Sequence, residues 1–175
     1  MKNGCIIFLL SIIISLMAFA FFNPTSQGKE EENYLRIHIR ADSNEFEAQA
    51  VKYAVRDSVV EYLTPLVADY QTKEEASKGI EDNLSQVVAT AEATLKKNGF
   101  SYGAKASLKQ EEFPTRVYGE YTLPAGEYSA LIIELGSGKG DNWWCVVYPP
   151  LCFSGVDTNV VYKSKIKEII QRFFD

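Results

Sequence analysis

Tyr34-Leu35-Arg36-Ile37-His38-Ile39-Arg40 alternates without a break: Leu35, Ile37 and Ile39 fall on one side, Arg36, His38 and Arg40 on the other. That period of two belongs to a half-buried β-strand. Its polar face fits two readings, pairing with glutamates of a neighbouring strand or contact with an acidic partner. Ala41-Asp42-Ser43-Asn44 then turns the chain, and Asn44 with Glu47 resembles a capping box. Phe46, Val51, Val55, Val59 and Leu63 recur at near-helical spacing up to Thr64-Pro65, as in an amphipathic helix.

A second helix opens at Thr72, with Glu75 placed to cap reciprocally. Its apolar stripe is Ala76, Ile80, Leu84, Val87, Val88, Ala91 and Leu95; Gly79 and Asn83 are points where it can break, and Asn98-Gly99 ends it. Beyond it the period returns to two over Ala104 to Lys109, Arg116 to Leu123, Tyr128 to Leu135 and Trp143 to Tyr148. Short turns, Leu123-Pro124-Ala125-Gly126 and Gly136 to Asn142, point to an antiparallel meander. A last amphipathic helix, Lys163 to Phe174, carries Ile166, Ile169, Ile170 and Phe173 on one face. Strand, helix, helix, four strands, helix implies an α+β two-layer sandwich, with helices on one face of a mostly antiparallel sheet.

Ahead of this domain, Cys5 to Phe22 reads CIIFLLSIIISLMAFAFF, with Lys2 before it and a polar stretch after it. Ala18-Phe19-Ala20 fits a signal-peptidase site. As helix the run rises about 27 Å, close to the roughly 30 Å of a hydrocarbon core, so an uncleaved anchor fits as well. Both readings export the remainder, because the positive flank stays inside. The expected organisation is a signal peptide or membrane anchor over 1–22, a polar linker over 23–33, a globular domain over 34–153, and a loop with the C-terminal helix over 154–175. Beyond Lys2 there are 17 basic residues against 23 acidic ones. That balance excludes a nucleic-acid partner, which needs a basic footprint.

Gly136-Ser137-Gly138-Lys139-Gly140 lacks the spacing, the hydroxyl residue after lysine and the following helix of a phosphate loop; it reads as a hairpin turn. His38 is the sole histidine, with no nucleophile-elbow pattern to serve and no familiar zinc spacing to Cys145 and Cys152. No catalytic residue, metal, cofactor or small-molecule substrate is therefore assigned. Cys145 and Cys152 would stand roughly 23 Å apart on extended chain, so a bridge requires a sharp reversal at Tyr148-Pro149-Pro150; two buried thiols are the alternative. On a strand, Trp143, Cys145 and Val147 face one way and Trp144, Val146 and Tyr148 the other. That suits either a central strand packed on both faces or an open aromatic recognition patch.

Several segments carry a family resemblance. They are Leu35-Arg36-Ile37-His38 with Ala41-Asp42-Ser43-Asn44, Val55-Arg56-Asp57, Phe113-Pro114-Thr115-Arg116-Val117-Tyr118-Gly119, Leu123 to Tyr128, and Gly138-Lys139-Gly140-Asp141-Asn142-Trp143-Trp144-Cys145 through Pro149-Pro150-Leu151-Cys152-Phe153. In this order they resemble the stage II sporulation protein R family of endospore-forming bacteria. Asp42-Ser43-Asn44 departs from the Asn-Ser-Asp that the family favours. The resemblance implies a forespore protein exported to the space between the two septal membranes. There it would trigger a membrane-embedded aspartic protease of the mother cell, which removes the pro-segment of sigma factor E. Candidate partner contacts are Arg36, His38, Arg40, Tyr118, Trp143, Trp144, Tyr148, Pro149 and Pro150. A secreted peptidoglycan hydrolase and a purely structural envelope protein are the competing classes.

Overall fold

The computed structural model describes residues 33–153 and 160–174; the apolar run Cys5 to Phe22 and the linker lie outside them. Chain order is β1 (Leu35–Arg40), α1 (Phe46–Val67), α2 (Lys73–Asp82), α3 (Leu84–Lys97), β2 (Ala104–Phe113), β3 (Arg116–Tyr118), β4 (Tyr121–Leu123), β5 (Gly126–Leu135), β6 (Asn142–Tyr148), a 3-10 turn (Leu151–Phe153) and α4 (Val160–Phe174). Among the described residues no helix is long and apolar enough to cross a membrane.

The α+β class holds, but the sheet is mixed rather than a meander. Strand order is β2-β5-β1-β6, with β1 parallel to β5 and antiparallel to β6. The first strand thus inserts between two that are neighbours in sequence. Gly136 to Asp141 only has to step across one intervening strand, roughly 10 Å at the usual strand spacing. β1 pairs in parallel with β5, and parallel strands are usually covered on both faces. β1 is so covered: Leu35, Arg36, Ile37, His38 and Ile39 are all buried. The half-exposed polar face expected for Arg36 and His38 is therefore corrected. Alternation gives each side chain's direction, and what covers that direction comes from far along the chain. Trp143 to Tyr148, in turn, is an edge strand rather than a central one.

On one face, Leu35, Ile37 and Ile39 join Leu131, Ile133, Cys145 and Val147 under Val51, Val55, Val59 and Leu63 of α1, Ile80 of α2, and Val87, Ala91 and Leu95 of α3. Ile166 and Ile169 of α4 complete this core. The other face carries a smaller cluster, Phe113, Leu123, Tyr128, Ala130, Ile132 and Val146, flanked by Tyr118 and Trp144. The β3–β4 hairpin belongs to this second layer; Gly119, at φ +62°, makes its tight turn. Phe174 stacks on Tyr121 at 3.8 Å between centroids, tying the end of α4 to the hairpin.

Local chemistry explains the helix boundaries. Thr72 accepts from the Glu75 amide at 3.2 Å while the Glu75 carboxylate accepts from the Gln71 amide, so a capping arrangement starts α2. Asn83 divides α2 from α3: its side chain donates to the Gly79 carbonyl and accepts from the Tyr62 hydroxyl. Asn44 does not cap α1. Glu45 holds that position without a side-chain bond, and Asn44 Oδ1 instead accepts from the Asp141 amide at 2.6 Å. Phe46, expected on the buried stripe, is 83% exposed, because five residues to Val51 is out of phase with the spacing of four that follows.

Asn44 belongs to a pair of interlocked loops. Asp42 accepts from the Ser137 amide and, through its carbonyl, from the Ser137 hydroxyl at 2.7 Å; the Gly140 amide donates to the Ala41 carbonyl at 2.8 Å. Lys52, buried at the base of α1, donates to Gln49 and to the Asp141 carbonyl. Burial holds the Lys52 ammonium below its ordinary pKa, with Asp141 acting the other way. Gly140 is required by close approach: a Cβ there would overlap the Ser43 carbonyl and stand 2.9 Å from Ala41 Cβ. At the far end, β6 reverses through Pro149-Pro150 and brings Cys145 and Cys152 to 6.2 Å at Cα, joined as a disulfide.

Gly140→Ala is expected to lower stability by about 1–3 kcal/mol, because backbone on both sides must move; urea denaturation of the variant against the parent measures it. Replacing both Cys145 and Cys152 with alanine should cost roughly 2–3 kcal/mol through the freed loop of the unfolded chain, read as a lower urea midpoint with a slope no smaller than the parent's.

Candidate functional site

Arg36 sits at the centre of the second layer. Its guanidinium carbon lies 4.1 Å from the Phe113 ring centroid, 4.8 Å from that of Tyr128 and 5.8 Å from that of Tyr118, and Nη2 donates to the Tyr118 hydroxyl at 2.8 Å. Cation–π contacts offset part of the cost of burying the charge. Burial pushes the Tyr118 phenol above its ordinary pKa, opposed by the Arg36 charge and hydrogen bond. Four residues along β1, Arg40 takes the bland role foreseen for the whole row, pairing with Glu111 at 2.5 Å and Glu134 at 2.9 Å.

His38 stands between the two arginines in sequence, its ring 5.8 Å from Phe113 and 5.3 Å from Trp144. Neither ring nitrogen has a hydrogen-bond partner; the Asn142 side chain favours the protonated ring without completing a bond to it. Arg116 of β3 covers the Trp144 ring at 4.3 Å. Arg36, His38, Tyr118 and Trp144 thus form one contiguous aromatic and cationic cluster, with Arg36 and His38 inside it.

The remaining candidates separate. Tyr148 is buried, because a register shift between Leu35 and Arg36 sets Leu35 opposite Tyr148 but Arg36 opposite Val146. The strict alternation expected for Trp144, Val146 and Tyr148 therefore breaks at Val147, and Tyr148 turns to the helical side, where its hydroxyl donates to the Gln71 carbonyl at 2.6 Å. Pro149 and Pro150 are buried in the reversal. Trp143 is only partly covered, and the Arg56 guanidinium lies over both its ring (5.6 Å) and that of Tyr53 (5.0 Å). Tyr53 is 44% exposed and lies two helical turns after Phe46, on the same side of α1. Exposed Phe46 and Tyr53 and half-buried Arg56 and Trp143 make a partly open aromatic stripe beside the interlocked loops. Sequence reasoning missed its helical half; the signal was the poor phase of Phe46 and Tyr53 with the buried stripe. Among the described residues no group of three metal-ligating side chains converges.

The leading cause of the His38 shift is burial, which holds the imidazole below its ordinary value near 6.5; Asn142 and Glu111 oppose it, and Arg40 and Lys109 reinforce it. The unfolded chain therefore binds this proton more readily than the folded one. The neutral ring's stabilising effect is complete above pH 6.5 and is lost as pH falls from there toward the lowered folded value. His38→Phe should flatten the decline of unfolding free energy below about pH 6.5, measured by urea titrations at a series of pH values; an unchanged slope would place the titration elsewhere.

A family model described as stage II sporulation protein R matches residues 31–158. The protein named stage II sporulation protein R of Bacillus subtilis (strain 168) is 40% identical over 119 residues, covering 68% of this chain and 53% of that relative. The chain thus spans about half the length of the curated relative it matches. No solved structure matches it. The matched residues include both loops, the buried arginine, the β3–β4 hairpin and the tryptophan strand. This chain belongs to the stage II sporulation protein R family, and its role lies in sporulation.

Proposed function

We propose that this domain is a sporulation signal that acts outside the cytoplasm. It binds the outer part of a membrane-embedded aspartic protease and favours the state that processes pro-sigma-E. The export of the domain rests on the apolar run Cys5 to Phe22, and the Cys145–Cys152 disulfide suits an oxidising compartment. The observation that carries the reading is the Phe46–Tyr53–Arg56–Trp143 stripe. Aromatic residues and arginine dominate interface hot spots, and here they stand on α1 and β6, beside a loop pair fixed by its own hydrogen bonds. A preformed surface loses little conformational freedom on docking.

Such a signal activates only through differential affinity. Turning a receptor from about 1% to about 99% active requires binding the active state roughly 10⁴-fold more tightly. The interface must therefore recognise a feature that the protease presents only when active.

The test mixes the purified domain, from Phe21 onward, with the reconstituted protease and its pro-sigma substrate. Parent protein should restore cleavage. Tyr53→Ala and Trp143→Ala, folded by circular dichroism, should each reduce it at least about tenfold, the loss of one hot-spot anchor. Full activation by both variants would reject this surface, and cleavage indifferent to the parent domain would reject the signalling role.

A further inference from the structure

The second layer has a chemical imbalance. Arg36 is fully buried, and its Nε and Nη1 have no acceptor, nor does the buried Nε1–H of Trp144. All three are donors; the neutral His38 ring between them adds one more unpartnered donor and a single unpartnered acceptor, so donors remain in excess. A guanidinium keeps its proton inside proteins, so the charge cannot be relieved by titration. Removing a cation from water without an anion is expensive, and three aromatic rings compensate only in part. Arg116, over Trp144, adds a second cation that no described residue joins in an ion pair. The acids that β2 and β5 place on this face are taken, Glu111 by Arg40 and Lys109 and Glu134 by Arg40, while Glu120 lies exposed in the hairpin turn.

The cover over these donors is slight. β3 and β4 pair only with each other, in three residue pairs, and form no ladder with the main sheet. A two-stranded hairpin of this size is marginal by itself. Its own Leu123, buried in the second-layer cluster, the Tyr121–Phe174 stack and the Tyr118 bond to Arg36 help to hold it down.

We propose that Arg36, Trp144 and Arg116 form a receiving site for a carboxylate of the partner protein, an acidic side chain entering where Arg116 overlies Trp144 as the hairpin shifts. The inference deepens the signalling reading by naming the partner's chemistry at this face. A carboxylate supplies what the cluster lacks: two acceptor oxygens and a negative charge, matched to the planar fork of a guanidinium.

The probe is sodium acetate, titrated into the ¹⁵N-labelled full chain in detergent, with sodium chloride at equal ionic strength as control. The Trp144 Nε1–H and Arg36 Nε–H signals should shift saturably with acetate and not with chloride. Arg116→Gln, a half-buried surface position whose loss leaves the core intact, should weaken the acetate response about tenfold. Tyr118→Phe, which frees Arg36 Nη2 and loosens the hairpin, should strengthen it. Equal shifts in chloride, no saturation, or an unchanged response in Arg116→Gln would overturn the proposal. So would a high-resolution structure, grown in acetate, with ordered waters alone on these donors. No protease is present, so a failed titration leaves the signalling role standing. A failed cleavage assay likewise leaves the carboxylate site standing.

Discussion

A six-residue strand with hydrogen-bonding neighbours on both edges sets the terms for this domain. β1 lies between β5 and β6, and that position demands cover above and below. Four helices meet the demand on one side with aliphatic side chains. On the other, arginine and histidine occupy sites where a core would ordinarily place leucine or valine. Aromatic rings from β2, β5, β6 and the hairpin close around them. The second layer is thus built to hold charge rather than to exclude it. That is costly in stability, because a buried cation without an anion gives up its hydration for incomplete compensation.

The two ends of β1 are fixed in different ways. After Arg40 the chain enters the loop pair, where backbone amides and short polar side chains of 42–44 and 137–141 satisfy one another and a glycine lets two backbones touch. Asp42-Ser43-Asn44 keeps both acceptors in place. Asp42 takes the Ser137 amide and Asn44 the Asp141 amide, and aspartate and asparagine can each accept such a bond, so exchanging the two is compatible with this geometry. Before Leu35 the fixation is aromatic: Tyr34 meets Phe173 and Phe174 of α4, and Tyr148 meets Phe173.

Element types were legible in the sequence where periodicity is local: β1, the helices and the division at Asn83 follow from spacing and capping, whereas Arg116 to Leu123, expected as one strand, is folded back at Gly119 into the β3–β4 hairpin. Sheet order was not, since nothing within Leu35 to Arg40 says that Ser129 and Cys145 lie on either side of that strand. The same limit hid the state of Arg36 and His38. Their side was readable, but their cover is Phe113, Tyr118, Tyr128 and Trp144, which a reading of Tyr34 to Arg40 cannot supply. Tyr148 was misplaced because one extra residue in β6 reverses every later side chain. The cysteine pair was legible only conditionally, since spacing stated the reversal it required without showing that the chain makes it.

The insertion of β1 also has a temporal side. Arg40 and its partner Glu134 are 94 residues apart, and the β6 neighbours lie later still. The strand that emerges first from the ribosome must wait, unpaired, until nearly the whole domain has followed. Contacts of such long sequence separation slow folding, because loop closure has to precede any reward. Until then the sheet that β1 organises cannot close, whatever the local helices have already formed.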